Sequence, residues 1–130
     1  MTNQEKNSAY IDGFAFPIHR DHLNEYNSVA QKVAEIWKEH GATQYLEFAG
    51  DELNVEGTRS FTESIEINEG ETVVFGWAIF PSKDVRDSAN QKVRKDPRMG
   101  QLVAPLMDPA SMIFNPGRMA YGGFKSLVKA

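Results

Sequence analysis

The sequence predicts an α+β fold in which one antiparallel sheet carries its helices on a single face. The first observation is the order of the apolar patterns, which reads strand, helix, strand, strand, helix, helix, strand. The second is the run ETVVFGWAIF at 71–80, which has the length and content of a central strand. The order is a split βαβ unit repeated twice, so we expect residues 1–130 to form a single ferredoxin-like domain with neighbouring first and last strands.

The first strand and the first helix follow from the N-terminal pattern. A strand signal covers 9–16 and is expected to end at Pro17. Asp21 is a candidate N-cap for the following helix, and Gly41 suits the position just past its C-terminus. The apolar stripe of this helix consists of Leu23, Tyr26, Ala30, Val33 and Trp37.

The middle of the chain predicts two further strands. Residues 43–50 form the second, and the acidic stretch 51–70 contains only a weak extra strand signal near 61–67. The strand at 71–80 is asymmetric, because one face is bulky and the other is bare enough for a helix to approach closely. The bulky face carries Val73, Phe75, Trp77 and Ile79, and the bare face carries Val74, Gly76 and Ala78.

The last third predicts two helices and a final strand. Ser82 is the expected N-cap of a helix over 83–95. Asp96 and Pro97 then read as the N-cap and first residue of a short helix. A turn at 115–117 precedes the last strand.

Composition excludes several classes of function. Hydrophobic residues make up 41% of the chain and charged residues 25%, as in ordinary globular proteins. There is no cysteine, so disulfides, thiol nucleophiles and zinc–thiolate sites are excluded. No apolar run approaches the ~18 residues of a membrane span, and the N-terminal residues are polar, so we expect a cytoplasmic protein without membrane partners. The sequence pI of about 5.3 argues against nucleic-acid binding.

Charge and glycine placement both bear on self-association. Up to Pro81 there are 14 acidic and 5 basic residues, and from Ser82 onwards 4 and 9. This asymmetry is typical of two solvated faces, or of a self-complementary homodimer surface.

Gly13, Gly122 and Gly123 on adjacent strands imply a close partner, either a packed aromatic side chain or a ligand. Bulky residues on both sheet faces predict a homodimer that packs sheet against sheet and leaves a cavity.

Two carboxylates are candidates for acid–base chemistry. Asp12 lies within the apolar first strand, where loss of hydration would suit it to act as a general base or acid. The alternative is a structural Asp paired with Arg98 or Arg118. Glu47 shares a strand face with Tyr45, and both would line one pocket with Asp12 if that face is the interior one. If it is the outer face, Glu47 is merely solvated.

The candidate ligand-binding residues are aromatic and cationic. Trp77 and Tyr121 could form a wall for a planar ligand, although packing in the core explains them as well. Arg98 and Arg118 stand near loops and could each hold a substrate carboxylate through two hydrogen bonds. A solvated or Asp-paired arginine is the alternative.

No motif predicts a metal or a cofactor. The three histidines, at 19, 22 and 40, do not form a set with the ligand count of a zinc site. The chain lacks a nucleotide-binding glycine loop, a nucleophile elbow and an HExxH motif. We therefore predict neither a metal nor a cofactor.

Four motifs carry a resemblance to a known family: YIDGF at 10–14, ETVVFGW at 71–77, DPRM at 96–99 and RMAYGGFK at 118–125. In this order and spacing they resemble the YbaA-like family of small bacterial proteins. That family is similar to the dimeric α/β-barrel superfamily, so the resemblance implies a ferredoxin-like subunit and a homodimer. It is a family of unknown function and implies no catalytic residues. The superfamily includes cofactor-free monooxygenases, lactone isomerases and haem-binding enzymes, and fold alone does not decide function.

Three functions stay open on the sequence. The first is a cytoplasmic homodimer that binds a small apolar or aromatic molecule in a cavity beside the sheet. The second is a cofactor-independent isomerase or monooxygenase with Asp12 as general base. The third is a structural dimer without a pocket. A cavity against the sheet separates the first two from the third, and the partners of Asp12 separate the first from the second.

Overall fold

Four antiparallel strands form one sheet in the computed structural model, which describes residues 8–130. The strand order is β2–β3–β1–β4, and every neighbouring pair is antiparallel. This is the ferredoxin-like order, so the predicted α+β fold class is confirmed. The strands are β1 (Tyr10–His19), β2 (Gln44–Ala49), β3 (Glu71–Phe80) and β4 (Ala120–Lys125).

The three longer helices cover one face of the sheet, which we call the helix face. Short 3-10 turns precede α1, follow α4 and precede β4. The core lies between this face and the helices, where Phe16 and Phe80 are almost fully buried. Leu106, from the turn after α4, packs on Phe16, and Ala89 of α3 packs on Phe80. The helices are α1 (Leu23–Glu39), the single turn α2 (Phe61–Ser64), α3 (Lys83–Lys95) and α4 (Pro97–Val103).

The opposite side of the sheet, the open face, is apolar and, of the described helices, carries only the single turn α2, whose Phe61 ring meets Phe75 edge to face with centroids 5.6 Å apart. Strand register places Trp77 opposite Gly13, which in turn lies opposite Gly122, so these residues share this face. A Cβ added at Gly13 would lie 3.2 Å from the ring of Phe124. The close partner that the glycines imply is therefore a packed aromatic side chain of the same chain. Three phenylalanines of the open face are exposed: Phe48 by 51%, Phe75 by 42% and Phe124 by 56%.

Several local signals in the sequence are confirmed. Gly41 has a φ of +135°, which L side chains rarely adopt, and it ends α1. The Ser82 hydroxyl accepts the amide hydrogen of Val85 at 3.2 Å and caps α3. Asp96 accepts the amide hydrogen of Arg98 at 3.0 Å and caps α4.

Three local predictions are wrong. β1 continues through Pro17, because beyond Ala15 the strand pairs only with β3 and a missing N–H is tolerated. Asp21 does not cap α1, because it lies inside the preceding 3-10 turn and His22 occupies the N-cap position. The weak strand signal near 61–67, within the acidic stretch, is wrong: residues 61–64 form α2, which the Ser60 hydroxyl caps through a local hydrogen bond.

Candidate functional site

A cavity of about 230 Å³ lies between the helix face of the sheet and the helices. Its walls are mostly apolar, and its sheet side includes Ala78, a small residue on the bare face of β3. Because β3 presents little side chain here, the helices cannot fill the space completely. Four of the lining residues bring oxygen atoms to the wall: Asp12, Tyr26, Tyr45 and Tyr121.

Asp12 is the most deeply buried of these polar groups, with 1% of its surface exposed. Its Oδ1 accepts a hydrogen bond from Arg86 Nε at 2.8 Å. Its Oδ2 accepts from Asn90 Nδ2 at 3.1 Å and from the Tyr121 hydroxyl at 2.7 Å. The charge is therefore compensated in place, and a buried carboxylate requires such partners to be stable.

The arginine that pairs with Asp12 is Arg86, so the expectation of Arg98 or Arg118 is wrong. Arg86 and Asn90 stand one turn apart on α3 and so project from the same side of that helix. Arg86 also lies over the ring of Tyr10, with its Cζ 5.1 Å from the ring centroid. No local pattern in the sequence links this pair to Asp12, because Arg86 follows Asp12 by 74 residues.

Glu47 forms a second polar cluster beside the cavity. The hydroxyls of Tyr26 and Tyr45 donate to its two carboxylate oxygens, the latter at 2.8 Å. Burial raises the pKa of Glu47, although the two tyrosine hydrogen bonds act in the opposite direction. Burial and the neighbouring Glu47 charge raise the pKa of both tyrosines, so their hydroxyls stay protonated at neutral pH.

The structure brings Asp12, Tyr45 and Tyr121 to one cavity, with Glu47 directly behind Tyr45. The sequence alone could not tell on which face of the sheet Glu47 lies. In the structure Glu47 pairs with Gly76 of β3, which places its side chain on the helix face. Trp77 lies on the open face and does not line this cavity. It borders a wider depression there of about 660 Å³, which Tyr121 also reaches from the sheet edge.

Arg98 and Arg118 lie away from the cavity, each engaged in ion pairs. Arg98 Nη2 bonds Glu39 at 2.6 Å and Asp96 at 2.7 Å. Arg118 bonds both carboxylate oxygens of Glu71, at 2.7 and 2.8 Å. Neither guanidinium is placed to hold a ligand in the cavity.

Within residues 8–130, no three histidine or acidic side chains are grouped as metal ligands. Of the three tyrosines that line the cavity, the sequence did not single out Tyr26 as a site residue, although it bonds Glu47. The sequence places Tyr26 in the apolar stripe of α1. Its contact with Glu47 joins residues 21 positions apart, so no local pattern predicts it. None of the described helices has the length and hydropathy to cross a bilayer.

Comparison with known proteins places this chain in a family. The family model described as "Protein of unknown function (DUF1428)" matches residues 9–115. The chain belongs to the DUF1428 family. This DUF1428 chain is 38% identical over 119 residues to "Uncharacterized protein YbaA" of Escherichia coli strain K12, covering 92% of this chain and 97% of the relative. The resemblance carried by the four motifs is thus confirmed.

Solved structures similar to this DUF1428 chain share its fold at low sequence identity. One is a mutant form of SnoaB from Streptomyces nogalater, described as a cofactor-independent oxygenase. The TM-score is 0.58 at 12% identity, covering 94% of this chain and 96% of SnoaB. Another is a nipsnap family protein with unknown function from Agrobacterium tumefaciens, with a TM-score of 0.55 at 15% identity, covering 92% and 89%. At such identities the likeness shows the fold alone.

Proposed function

We propose that this DUF1428 protein binds a small aromatic molecule of one or two rings in the cavity between sheet and helices. The cavity itself, about 230 Å³ in volume, is the observation that carries the proposal. It is larger than the about 150 Å³ that holds benzene. It is smaller than the about 300–1,000 Å³ of sites for drug-sized ligands. We keep a cytoplasmic location as a prediction of the sequence.

The walls suit a flat ring better than an aliphatic chain. Phe16 meets the rings of Tyr26 and Phe114 edge to face, with centroids 5.3 and 5.0 Å apart. Phe14 and Trp37 add further aromatic surface to the cavity. Aromatic pairs gain energy from offset or edge-to-face contact beyond the area they bury, so an aromatic guest can extend this arrangement.

Fluorescence of Trp37 offers a direct test. Trp77 lies on the open face, so a Trp77→Phe protein keeps Trp37 as its single tryptophan, at the cavity wall. We expect toluene, phenol or 2-naphthol to change this fluorescence saturably and to raise the melting temperature of the wild-type protein.

A matched pair of variants controls for this test. Ala30→Leu adds side chain inside the cavity and should weaken binding roughly tenfold or more, since the space is then occupied. Ala34→Leu places the same change on α1 outside the cavity lining and should bind as the parent does. Absence of saturable binding by all three probes, or equal losses in both variants, would contradict the proposal.

Proton-transfer catalysis on the bound ring is a second candidate function, and Glu47 favours it more than Asp12 does. Asp12 already accepts three hydrogen bonds, one from Arg86, so its carboxylate is engaged by partners within the protein. A ligand proton could pass to the Tyr45 oxygen while the Tyr45 proton moves to Glu47, and then return to a neighbouring atom. No co-reactant is needed for such a tautomerisation.

Resorcinol tests this second candidate, because its ring hydrogens exchange with solvent through a keto tautomer. We expect the protein to accelerate their replacement by deuterium in heavy water, followed by proton NMR. Glu47→Gln should remove the acceleration, and Glu39→Gln, on the exposed end of α1, should keep it. If the ring hydrogens exchange no faster than in buffer, the proposal of catalysis is contradicted and only ligand binding stands.

We also propose that two copies associate through their open faces. Exposed apolar patches of this kind are uncommon on monomers. Phe75 and Phe124 line one depression on this face together with Trp77, whose ring centroid lies 5.4 Å from that of Phe48, so residues of three strands form such a patch. A second copy is the fitting partner, because a two-fold pair covers the same patch on both subunits at once.

A further inference from the structure

We propose that the cavity selects an aromatic ring bearing a neutral hydrogen-bond donor, a hydroxyl or amino group, and rejects rings that bear a carboxylate. This rests on the proposed function, ligand binding in the same cavity, and adds the chemical class of the ligand. The polar groups of the cavity wall support this preference, because their hydroxyl protons are already donated to Glu47 and Asp12.

The first two hydroxyl protons belong to the Glu47 cluster. Tyr26 and Tyr45 both line the cavity, and both donate to the Glu47 carboxylate. A phenol hydroxyl has one proton to give and two lone pairs to receive with. Each of these oxygens therefore retains only acceptor capacity for a guest.

The third hydroxyl proton belongs to the Asp12 cluster. Tyr121 donates to Asp12 Oδ2, which also receives Asn90, while Oδ1 receives Arg86. An ionised carboxylate offers about four lone-pair sites, and three of these are taken. Asp12 thus keeps one acceptor position and supplies no donor.

Besides the three tyrosine hydroxyls, one further hydrogen-bond donor belongs to a residue of the cavity wall. The indole N–H of Trp37 is a single neutral donor. It cannot compensate a guest carboxylate that would lie near both Asp12 and Glu47, since bringing a third negative charge into a largely apolar space costs free energy. Arg86 is held against Asp12 and Asp87 and does not line the cavity.

The decisive experiment compares four one-ring probes of similar size with the Trp77→Phe protein at mildly alkaline pH: phenol, toluene, benzaldehyde and benzoate. An apolar cavity without polar partners prefers toluene, because phenol must leave its hydrogen bonds with water. We expect phenol to bind roughly tenfold more tightly than toluene or benzaldehyde, because only phenol can donate to the waiting acceptors. Benzoate should not bind at the highest concentration used.

A variant in this background reverses the donor balance. In Asp12→Asn, the new side-chain amide donates towards Tyr121, which frees the Tyr121 proton to face the cavity. The preference should then shift from phenol towards benzaldehyde. Asp87→Asn changes an exposed carboxylate on the same arginine and should leave the order of affinities as it was. If Asp12→Asn fails to fold, the four-probe series on the parent still decides the proposal.

The outcomes separate this inference from the proposed function. Tighter binding of toluene than phenol, or binding of benzoate as strong as phenol, overturns the donor inference while aromatic binding stands. No binding by any probe overturns both. A phenol preference that Asp12→Asn reverses supports the inference.

Discussion

At the residue scale, the Asp12 cluster tests whether the buried carboxylate contributes to stability. Asp12→Ala removes the acceptor for Arg86, Asn90 and Tyr121 together. We expect a loss of roughly 2–4 kcal/mol, somewhat below the cost for a completely buried pair, since water can reach part of the freed guanidinium. Urea unfolding measures this loss of stability. The control is Asp87→Ala, because Asp87 is the exposed partner of Arg86 and its removal should cost under ~1 kcal/mol. Equal small losses would show that the cluster is energetically neutral.

Also at the residue scale, Glu47 gives stability a characteristic pH dependence. Its pKa is raised in the folded protein by burial, so the folded state keeps this proton at pH values where the unfolded chain has released it. Stability should therefore fall as pH rises from the unfolded value of about 4.3 through the raised folded value. Glu47→Gln should remove that fall, which pH-dependent urea unfolding detects.

Glu39 provides a control of opposite sign for this measurement. The Arg98 hydrogen bond lowers the pKa of Glu39, so its contribution is present above the unfolded value and is lost as pH falls. Glu39→Gln should thus reduce stability more at neutral than at acidic pH. The Glu47 interpretation fails if both variants change stability with pH in the same direction.

At the element scale, β3 depends on its bare face for pairing with β2. A Cβ at Gly76 would lie 2.5 Å from the backbone oxygen of Leu46 and 2.8 Å from the Phe14 ring. Because a backbone oxygen cannot move aside as a side chain does, Gly76→Ala should destabilise by ~1–3 kcal/mol through overpacking. The melting temperature measures this effect.

Gly100 is the matched position for that change. It lies within α4 with nothing within 4 Å of an added Cβ, and alanine favours a helix interior over glycine by ~1 kcal/mol. Gly100→Ala should therefore raise the melting temperature. An unchanged melting temperature for Gly76→Ala would mean that β2 and β3 can move apart without loss of stability.

At the scale of the whole molecule, the open face predicts association. Light scattering should give twice the chain mass of 14.6 kDa at micromolar concentration, with on the order of 800 Å² buried per subunit. Phe75→Lys should lower the mass to that of one chain, since a charge would be buried on the open face. Met112→Lys alters a similarly exposed residue outside the sheet and should leave the dimer intact. A single-chain mass for the wild-type protein would refute the dimer.

The sequence by itself determined the order of the strands and helices, the caps at Ser82 and Asp96, and the turn at Gly41. These features depend on neighbours within a few residues, so periodicity and capping chemistry suffice to predict them. It also identified Asp12 as the carboxylate of the apolar first strand.

Only the tertiary structure decided what surrounds these groups. Arg86 reaches Asp12 across 74 residues of chain, and Tyr26 reaches Glu47 across 21, so no local pattern reports either contact. The face on which Glu47 lies follows from its pairing with Gly76, since a shift of one residue would reverse it. The cavity lies where Ala78 of β3, a small residue, meets helices from distant parts of the chain, and only the folded packing establishes that space.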